Sequence, residues 1–410
     1  MKRLRSPLTS PWMTGVLAIC GGLAAPAAHA ENQPYYISAQ QRFSHTDNVF
    51  WARDGSERSD TISTTGVRLG VDQPISRQRL AANLSVNHNR YSNVDFLTHT
   101  DYNLFARLGV DTVERVTGNI TLNASDKYSS DGSSLASGVR NMQRVEQLSV
   151  QAAIGTVTMW TFDAGAAMVR SRYSATAYTV NNTNQTSFNV GAQVEPASGL
   201  TLRTGLRHGQ VEYPHPTVNN DVRRNDLDFS ASLKPTGAVS EYTARVSLTR
   251  ERHTLASRNL SSWTGALGWN WRPTGKFRTE LTLSRDTNNG NYDFTSGLFN
   301  LDSAESRLST RLGLSAYWSA TAKIGVGAGY ALTRRSLDNV LTIGGTGVTN
   351  SATDRQSALW LSVKYAVIRN VDLGCNVSWN ERTVSPSTTT LTHPFSVTTY
   401  GCYGQALMDF

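Results

Sequence analysis

Long apolar runs are missing from most of this 410-residue sequence. After residue 30, no stretch approaches the ~20 consecutive apolar residues that a membrane-spanning helix needs. The chain has three cysteines, no Pro-rich or Gly/Ser-rich linker, and no shift in composition along its length. These absences exclude insertion by helices and argue against several soluble domains joined by linkers. We therefore expect one long, uniform architecture over residues 31–410.

Residue patterns typical of catalysis and cofactor binding are also missing. The sequence has no metal-ligand spacing, no serine-centred motif between glycines, and no Gly-rich phosphate loop before a helix. Its basic residues lack the clustering and aromatic interleaving of a nucleic-acid surface. We expect no enzyme, no cofactor, no metal and no nucleic-acid partner. The enzymatic alternative is an outward Ser and His near the outer rim, as in membrane-barrel hydrolases. The candidate histidines are scattered over strand ends and loops: His88, His99, His208, His215 and His253.

The first thirty residues predict a cleaved signal peptide. Lys2, Arg3 and Arg5 precede an apolar run, Met13–Ala25, and the small-x-small pattern Ala28-His29-Ala30 follows. Cys20 follows Ile19, whereas a lipoprotein signal would have a small residue there. Cleavage removes three cations and no acid from a chain of formal net charge +8, so the mature chain stays basic. That balance is compatible with nucleic acid, anionic lipid headgroups or an acidic polymer as partner.

Period-two alternation of apolar and polar residues runs through the rest of the chain. One example is Leu80, Ala82, Leu84 and Val86, and the pattern recurs up to Phe410. It predicts about eighteen strands of roughly ten to fourteen residues, beginning near Tyr35. Tilted strands of that length cross a membrane, while strands of soluble sandwiches are about half as long. The predicted fold is all-β: a transmembrane, antiparallel, up-and-down β-barrel in the bacterial outer membrane, with export through the periplasm.

The connections between these strands alternate between short turns and long polar loops. Pro235-Thr236-Gly237 is a short turn, and Arg335–Thr353 and Arg382–Pro394 are predicted long loops. An even strand number places both termini on the periplasmic side, and the terminal Phe410 resembles the signal read by the outer-membrane assembly machinery. Aromatic residues near the short turns predict an interfacial girdle, with ordinary turn packing as the alternative: Trp160, Trp269, Trp271, Tyr317 and Trp318.

If the apolar phase meets lipid, the opposite phase faces the lumen, and that phase is rich in cations. Guanidinium groups bind carboxylates and phosphates in a fork, so an Arg-rich lumen suits an anionic solute. The alternative is that these cations pair with inward acids and stiffen the wall. The predicted lumen cations are Arg42, Arg68, Arg107, Arg203, Arg207, Arg224, Arg245, Arg278, Arg307, Arg311, Lys323 and Lys364, and the acids are Asp72, Asp111, Asp163, Asp226, Asp228 and Glu280.

Cys375 and Cys402 lie on the last two predicted strands, in the outward phase. A symmetric hairpin places them directly opposite each other, close to bonding distance. The oxidising periplasm permits a disulfide, and the alternative is two small buried hydrophobes.

The N-terminal part of the mature chain carries two motifs. The segment Tyr36–Trp51 contains Asp47-Asn48 followed by Phe50, and the second strand runs into a turn with Asp72, Pro74, Ser76, Gln78 and Arg79. In these motifs the sequence resembles the EpsL-type proteins of exopolysaccharide operons, also grouped as a family of β-barrel porins. The motifs cover the first part of the mature chain only.

The resemblance implies an outer-membrane component linked to synthesis or export of an extracellular polysaccharide, and it implies no catalytic residues. The partners expected on both arguments are outer-membrane lipid, the assembly machinery, an anionic polysaccharide and polysaccharide-export proteins. The rival hypotheses are a general diffusion porin for small solutes, a plugged structural or adhesive barrel, and an outer-membrane hydrolase.

Overall fold

The computed structural model describes residues 34–410 apart from 113–115, 130–138, 157, 217–220, 255–258, 288–305, 344–345 and 387–391. Of residues 306–307, 337–343 and 346–350, only the backbone is described. The predicted signal peptide, residues 1–30, lies outside the described residues.

One antiparallel sheet of eighteen strands accounts for nearly all of the described chain. Among the described residues of the connections, Asp95–Leu97 and Thr176–Asn181 form short 3₁₀ helices. The strands β1–β18 are Tyr35–Thr46, Asp60–Ile75, Gln78–Tyr91, His99–Asp111, Val116–Tyr128, Met142–Ile154, Trp160–Tyr173, Thr183–Ala197, Leu200–Glu212, Val222–Leu233, Ser240–His253, Leu260–Thr274, Phe277–Asp286, Ser306–Ser319, Ile324–Ile343, Thr346–Ile368, Val371–Ser385 and Phe395–Asp409.

The sheet closes on itself. Each strand pairs with its neighbours in the chain, and β1 pairs with both β2 and β18. The closing register runs from Tyr36 opposite Asp409 to Thr46 opposite Thr399. Closure removes the unpaired edges of an open sheet, so every strand finds its backbone partners within the protein. The predicted eighteen-strand, up-and-down barrel is confirmed.

The two ends of the barrel differ. The termini and the short turns lie at one end, which we call the short-turn end, and the opposite end carries the longer connections, which we call the long-loop end. β15 and β16 are the longest strands, with 20 and 23 residues, and they extend through most of the predicted loop Arg335–Thr353. That prediction was wrong because Gly, Ser, Thr and Asn are common in this segment, and such residues are typical of loops.

Large apolar side chains cover the outside of the barrel. Phe43, Leu206 and Met408 are 59%, 60% and 61% exposed, and each occupies the outward phase of its strand. Trp160, Trp269, Trp271 and Trp318 also take the outward phase. Tyr317 was wrongly predicted for the same girdle. It points inward, because it occupies the alternate position beside Trp318.

A small apolar core lies at the long-loop end. Val49, Tyr91, Val94 and Leu97 pack together, with Phe50, Ile62 and Tyr128 against them. Beside it, the fully buried Asp60 carboxylate accepts the backbone N–H groups of Ser92, Asn93 and Val94 at 2.9–3.0 Å. The β1–β2 and β3–β4 connections are therefore fixed to each other.

Within the described part of the chain, no helix has the length and apolar character to cross a membrane.

Candidate functional site

The strands place most of the predicted lumen cations on the inner wall. Arg42, Arg68, Arg107, Arg203, Arg207, Arg224, Arg245, Arg278, Arg311 and Lys364 lie in the phase opposite the exposed apolar side chains. Arg307 lies in β14, where its side chain is not described. Lys323 instead lies in the turn before β15, and its Nζ donates to the Val367 carbonyl at 3.1 Å. Lys323 is not part of the inner wall, because β15 begins one residue later, at Ile324.

The most buried part of the wall lies on β9–β11. Arg207 Nε donates to Asp226 Oδ2 at 2.9 Å, and its Nη2 donates to Asp228 Oδ1 at 3.3 Å. Arg224 Nε reaches the same Asp226 oxygen at 2.8 Å. Arg224 is 4% exposed and Asp226 is 3% exposed, so this pairing is shielded from solvent. In this part of the wall the arginines pair with inward acids, as the alternative interpretation of the lumen cations expected.

The network continues to β13. Arg224 Nη1 donates to Asp286 Oδ1 at 2.8 Å and to Glu251 Oε1 at 3.5 Å, and Arg245 Nη2 donates to Asp286 Oδ2 at 3.4 Å. With Arg207, Asp226 and Asp228 the network holds three arginines and four carboxylates, and it has no net positive charge. No sequence pattern pointed to Glu251 and Asp286, since each lies near a strand end that faces a long loop.

Hydroxyl groups add further hydrogen bonds to this network. Thr249 Oγ1 lies 2.9 Å from Thr264 Oγ1 and donates to Asp226, and Ser247 donates to Asp228. Thr287 Oγ1 accepts from Arg224 Nη1 at 2.7 Å and donates to Glu251. Buried carboxylates retain their charge when such donors satisfy their lone pairs. Charge pairs and hydroxyl groups thus connect β10, β11, β12 and β13 across the inner wall.

A second charged cluster, which the sequence analysis did not identify, lies on β15–β17. Arg335 Nε donates to Asp354 Oδ1 at 2.9 Å, and Arg382 Nε lies 3.7 Å from Asp354 Oδ2. Arg382 also donates to Thr392 Oγ1 at 3.1 Å and stacks on Phe395, with its guanidinium carbon 4.6 Å from the ring centroid. Arg335 fell within the predicted loop Arg335–Thr353 and Asp354 directly follows it, which is why they were missed.

Two further predicted cations also have acid partners. Arg203 forms a two-point contact with Asp163, at 2.9 and 2.6 Å, and Lys364 Nζ lies 2.9 Å from Asp372 Oδ2. Both pairs are partly exposed, so water screens them more than it screens the buried network.

Four predicted lumen cations differ from these, because no carboxylate contacts them in the part of the chain that the structure describes. Arg42 Nη2 donates to the neutral amide oxygen of Asn376 at 2.8 Å. Arg278 lies 4.7 Å from the centroid of the Tyr317 ring. Arg68 and Arg107, on β2 and β4, are partly exposed and make no hydrogen bond with any described residue. In the described part of the chain, these four groups therefore have no carboxylate as a direct partner.

The Asp-Asn-aromatic motif fixes the β1–β2 connection. Asn48 is fully buried; its Nδ2 donates to the carbonyls of Ala52 and Ser396, and its Oδ1 accepts the Ala52 N–H. Asp47 Oδ1 accepts the Thr398 N–H at 2.8 Å, and Phe50 packs on the core at the long-loop end. These contacts hold the β1–β2 connection against β18.

The second motif forms the β2–β3 turn. Arg79 donates to both oxygens of Asp72, at 2.6 and 2.5 Å, while Pro74 lies directly opposite Arg79. Ser76 has a positive φ of 57°, which the tight turn requires. The motif residues therefore bridge the two strands at the short-turn end.

The last hairpin is covalently linked. Cys375 and Cys402 are directly opposite each other on β17 and β18, and their sulfurs form a disulfide. Both side chains face outward. The Phe410 N–H donates to the Tyr35 carbonyl at 3.0 Å and the two rings stack at 6.1 Å, so both termini meet at the closing seam.

Over the described ranges, no group of three or more His, Cys, Asp or Glu side chains could hold a metal ion. The charged inner wall is the candidate site because of the contacts that its own residues make.

A closed antiparallel barrel with an apolar outer belt is the β-structure that a lipid bilayer accepts, and β-barrels of this kind belong to outer membranes. The protein is a porin-like β-barrel of the bacterial outer membrane, in contact with membrane lipid.

Comparison with known proteins gives similarity to solved barrels only. OccK1 (OpdK) of Pseudomonas aeruginosa is 11% identical, with a TM-score of 0.48 over 91% of this chain and 98% of that one. OccAB3 of Acinetobacter baumannii is 8% identical, with a TM-score of 0.46 over 92% and 99%. OccK10 (OpdN) of Pseudomonas aeruginosa is 11% identical, with a TM-score of 0.46 over 93% and 100%. No family model and no curated protein matches the sequence. These identities transfer no function to this chain.

Proposed function

We propose that the barrel is a porin through which small solutes that carry negative charge diffuse across the outer membrane. An eighteen-strand barrel is wide enough to enclose a water-filled channel. The observation that carries the proposal is the pair Arg68 and Arg107: both are partly exposed on the inner wall, and neither has an acid partner among the described residues.

Arg42 and Arg278 add to this charge, because their partners Asn376 and Tyr317 are neutral. A guanidinium group is weakly hydrated and binds carboxylate or phosphate at two points. Uncompensated cations in a passage with low-dielectric walls raise the local concentration of anions. The paired clusters on β9–β13 and β15–β17 shape the passage in this proposal, and the four uncompensated arginines set its preference for anions.

The test is the reversal potential of the purified protein in a planar lipid bilayer under a KCl gradient. The wild-type pore should prefer chloride, and the variant Arg68→Gln/Arg107→Gln should lose at least half of that preference. The matched control Arg77→Gln/Lys276→Gln removes two exposed cations from short turns and should leave the reversal potential unchanged. Cation preference in the wild type, or no conductance at all, contradicts the proposal.

A second candidate function is export of an anionic extracellular polysaccharide. The motif residues Asp47, Asn48, Phe50, Asp72 and Arg79 favour it, since they carry the resemblance to the EpsL-type proteins. Its partners would be the polysaccharide and the other proteins of the export pathway. Deleting the gene separates the two candidates: unchanged polysaccharide secretion with reduced uptake of small anions supports the porin, and lost secretion supports export.

We also propose that Phe410 is the signal that the outer-membrane assembly machinery recognises. Phe410→Ala should slow membrane insertion in cells, with Phe96→Ala, an exposed loop aromatic, as the control. Equal insertion rates for Phe410→Ala and wild type would remove the assignment.

A further inference from the structure

Arginines on the outside of the barrel form directly opposed pairs. Arg223 on β10 faces Arg252 on β11, and Arg334 on β15 faces Arg355 on β16. All four occupy the outward phase of their strands and are exposed. Directly opposed side chains in an antiparallel pair lie about 5 Å apart at Cβ, and like charges at that separation are unfavourable. Such pairs are stabilised when an anion lies between them.

Neither pair has an internal partner. In the described ranges of the chain, the four guanidinium groups make no ion pair and no hydrogen bond. Glu212 and Glu381 lie diagonally from Arg223 and Arg355 on the same outer face, but neither forms an ion pair with a described residue. Both pairs therefore point outward without an ion-pair partner among the described residues.

Polar neighbours extend each pair along its cross-strand row. Gln210 lies beside Arg223 on β9, and Arg250 lies two residues before Arg252 on the same face of β11. These neighbours add an amide and a third cation to the first pair.

The second pair lies in the row Thr310, Arg334, Arg355 and Thr383, which crosses β14–β17. Two arginines flanked by hydroxyl groups match the charge and the acceptor oxygens of a phosphate group.

Both pairs lie where the apolar belt ends at the long-loop end. On β11 the outward residues Tyr242, Val246 and Leu248 are exposed and apolar, and Arg250 and Arg252 follow them. On β15 the outward residues Ile324, Val326, Tyr330 and Leu332 precede Arg334 in the same way.

The short-turn ends of these strands carry no outward cation. Leu233, Tyr242, Ile324 and Tyr365 occupy the corresponding outward positions there. In outer-membrane barrels the long loops face the cell exterior, so the arginine pairs lie at the headgroup level of the outer leaflet.

A third pair repeats the geometry with partial compensation. Arg144 on β6 faces Arg172 on β7 in the outward phase. Arg144 contacts Asp126 at 3.2 Å, and Arg172 donates to Asn184 Oδ1 at 2.6 Å. Asp126 contacts Arg144 alone, and no carboxylate contacts Arg172 in the part of the chain that the structure describes.

We propose that the pairs Arg223–Arg252 and Arg334–Arg355 bind the phosphate groups of phosphorylated glycolipids in the outer leaflet. Each pair holds one phosphate between two guanidinium groups, while the acyl chains of the lipid lie along the apolar belt below. The bound lipid removes the repulsion within each pair and anchors the barrel at a fixed depth. This inference concerns the lipid-facing surface and is independent of what passes through the bore.

The test titrates the intact protein, in a neutral detergent, with diphosphoryl lipid A and with a neutral glucosyl diacylglycerol, and counts bound lipids by native mass spectrometry. The variant Arg223→Gln/Arg252→Gln/Arg334→Gln/Arg355→Gln should bind diphosphoryl lipid A at least tenfold more weakly than wild type. The charge-matched control removes four cations of the short-turn end, Arg77, Lys234, Arg272 and Lys276, by substitution with Gln and should bind within twofold of wild type. Folding of each variant is checked by heat-modifiable migration on gels, and if the quadruple variant does not fold, the two double variants are measured separately.

Three outcomes overturn the proposal: equal binding of diphosphoryl lipid A by the quadruple variant and wild type, equal loss in the short-turn control, or wild-type binding of the neutral glycolipid as tight as that of lipid A. A competition experiment with inorganic phosphate distinguishes a lipid site from a site for free anions. At constant ionic strength, inorganic phosphate should not displace lipid A. Displacement would also overturn the proposal, because it would identify a site for free anions. Arg→Lys at the same four positions should give intermediate binding, because charge is kept while the two-point geometry is lost.

Discussion

Arg224 on β10 and Asp286 on β13 meet at 2.8 Å, although two strands lie between the strands that carry them. Neighbouring strands are ~4.8 Å apart, so the two backbones are separated by roughly 14 Å. The side chains reach each other over the inner surface of β11 and β12. Asp286 also contacts Arg245 on β11, at 3.4 Å. The contact therefore links four consecutive strands from inside the barrel.

Replacing Arg224 with Met should destabilise the barrel strongly. The change leaves Asp226, Glu251 and Asp286 without their shared cation, and removing one partner of a buried charge network costs about 3–5 kcal/mol. The free energy of unfolding, measured by urea titration in lipid vesicles, checks this. Lys234→Met breaks an exposed contact with Glu241 and should change that free energy by less than about 0.5 kcal/mol. Equal effects of the two substitutions would show that the network adds no stability.

Asp354→Asn should also destabilise the barrel, because Arg335 and Arg382 would lose the carboxylate that they share. The same substitution at Asp163 should have a smaller effect, since its partner Arg203 is partly exposed and water can replace the lost contact. Both variants are compared by urea titration. A larger loss for Asp163→Asn than for Asp354→Asn contradicts the assignment of the β15–β17 cluster as a structural element.

Asp60→Ala should loosen the long-loop end without unfolding the barrel. The carboxylate accepts the backbone N–H groups of Ser92, Asn93 and Val94 as well as that of Thr61, and a hydrogen bond to a charged group is worth about 1.5–3 kcal/mol. Hydrogen exchange should accelerate at the amides of Ser92, Asn93 and Val94 and stay unchanged on β10 and β11. Asp54→Ala, in an exposed part of the same connection, is the control. Unchanged exchange at residues 92–94 would refute the role of Asp60.

Reduction of the Cys375–Cys402 disulfide should lower the stability of the barrel by about 2–4 kcal/mol. Before reduction, a peptide that spans both cysteines should take up no thiol reagent under denaturing conditions, and after reduction it should take up two equivalents. Cys375→Ser/Cys402→Ser should match the reduced protein in stability. If wild type and the double variant unfold at the same urea concentration, the disulfide is without effect on stability.

Period-two alternation was sufficient to predict the barrel, its strand number and its phase. Because side chains alternate between the two faces of a strand, positions such as Arg68 and Arg107 could be assigned to the inner wall from the sequence alone. The alignment of Cys375 with Cys402 followed from the symmetry of one hairpin. Each of these inferences depends on local periodicity or on neighbouring strands.

Contacts between distant strands could not be predicted in this way. Arg224 meets Asp286 because the wall curves, and a linear pattern carries no information on curvature. The Arg335–Asp354 contact was hidden because the polar residues around it favoured a loop. The outward arginines form pairs because of the register between neighbouring strands. The alternation of apolar and polar residues does not determine that register by itself.

Two opposite faces of each strand are central to the fold and to the proposed function: a charged face toward a water-filled bore and an apolar face toward lipid. Spin labels on single cysteines at Val67, Arg68 and Leu69 of β2, in lipid vesicles, test this directly by their accessibility to two relaxation agents. The account predicts high access for oxygen at positions 67 and 69, and high access for a water-soluble nickel chelate at position 68. A label at position 68 that neither agent reaches, or equal profiles at all three positions, would contradict it.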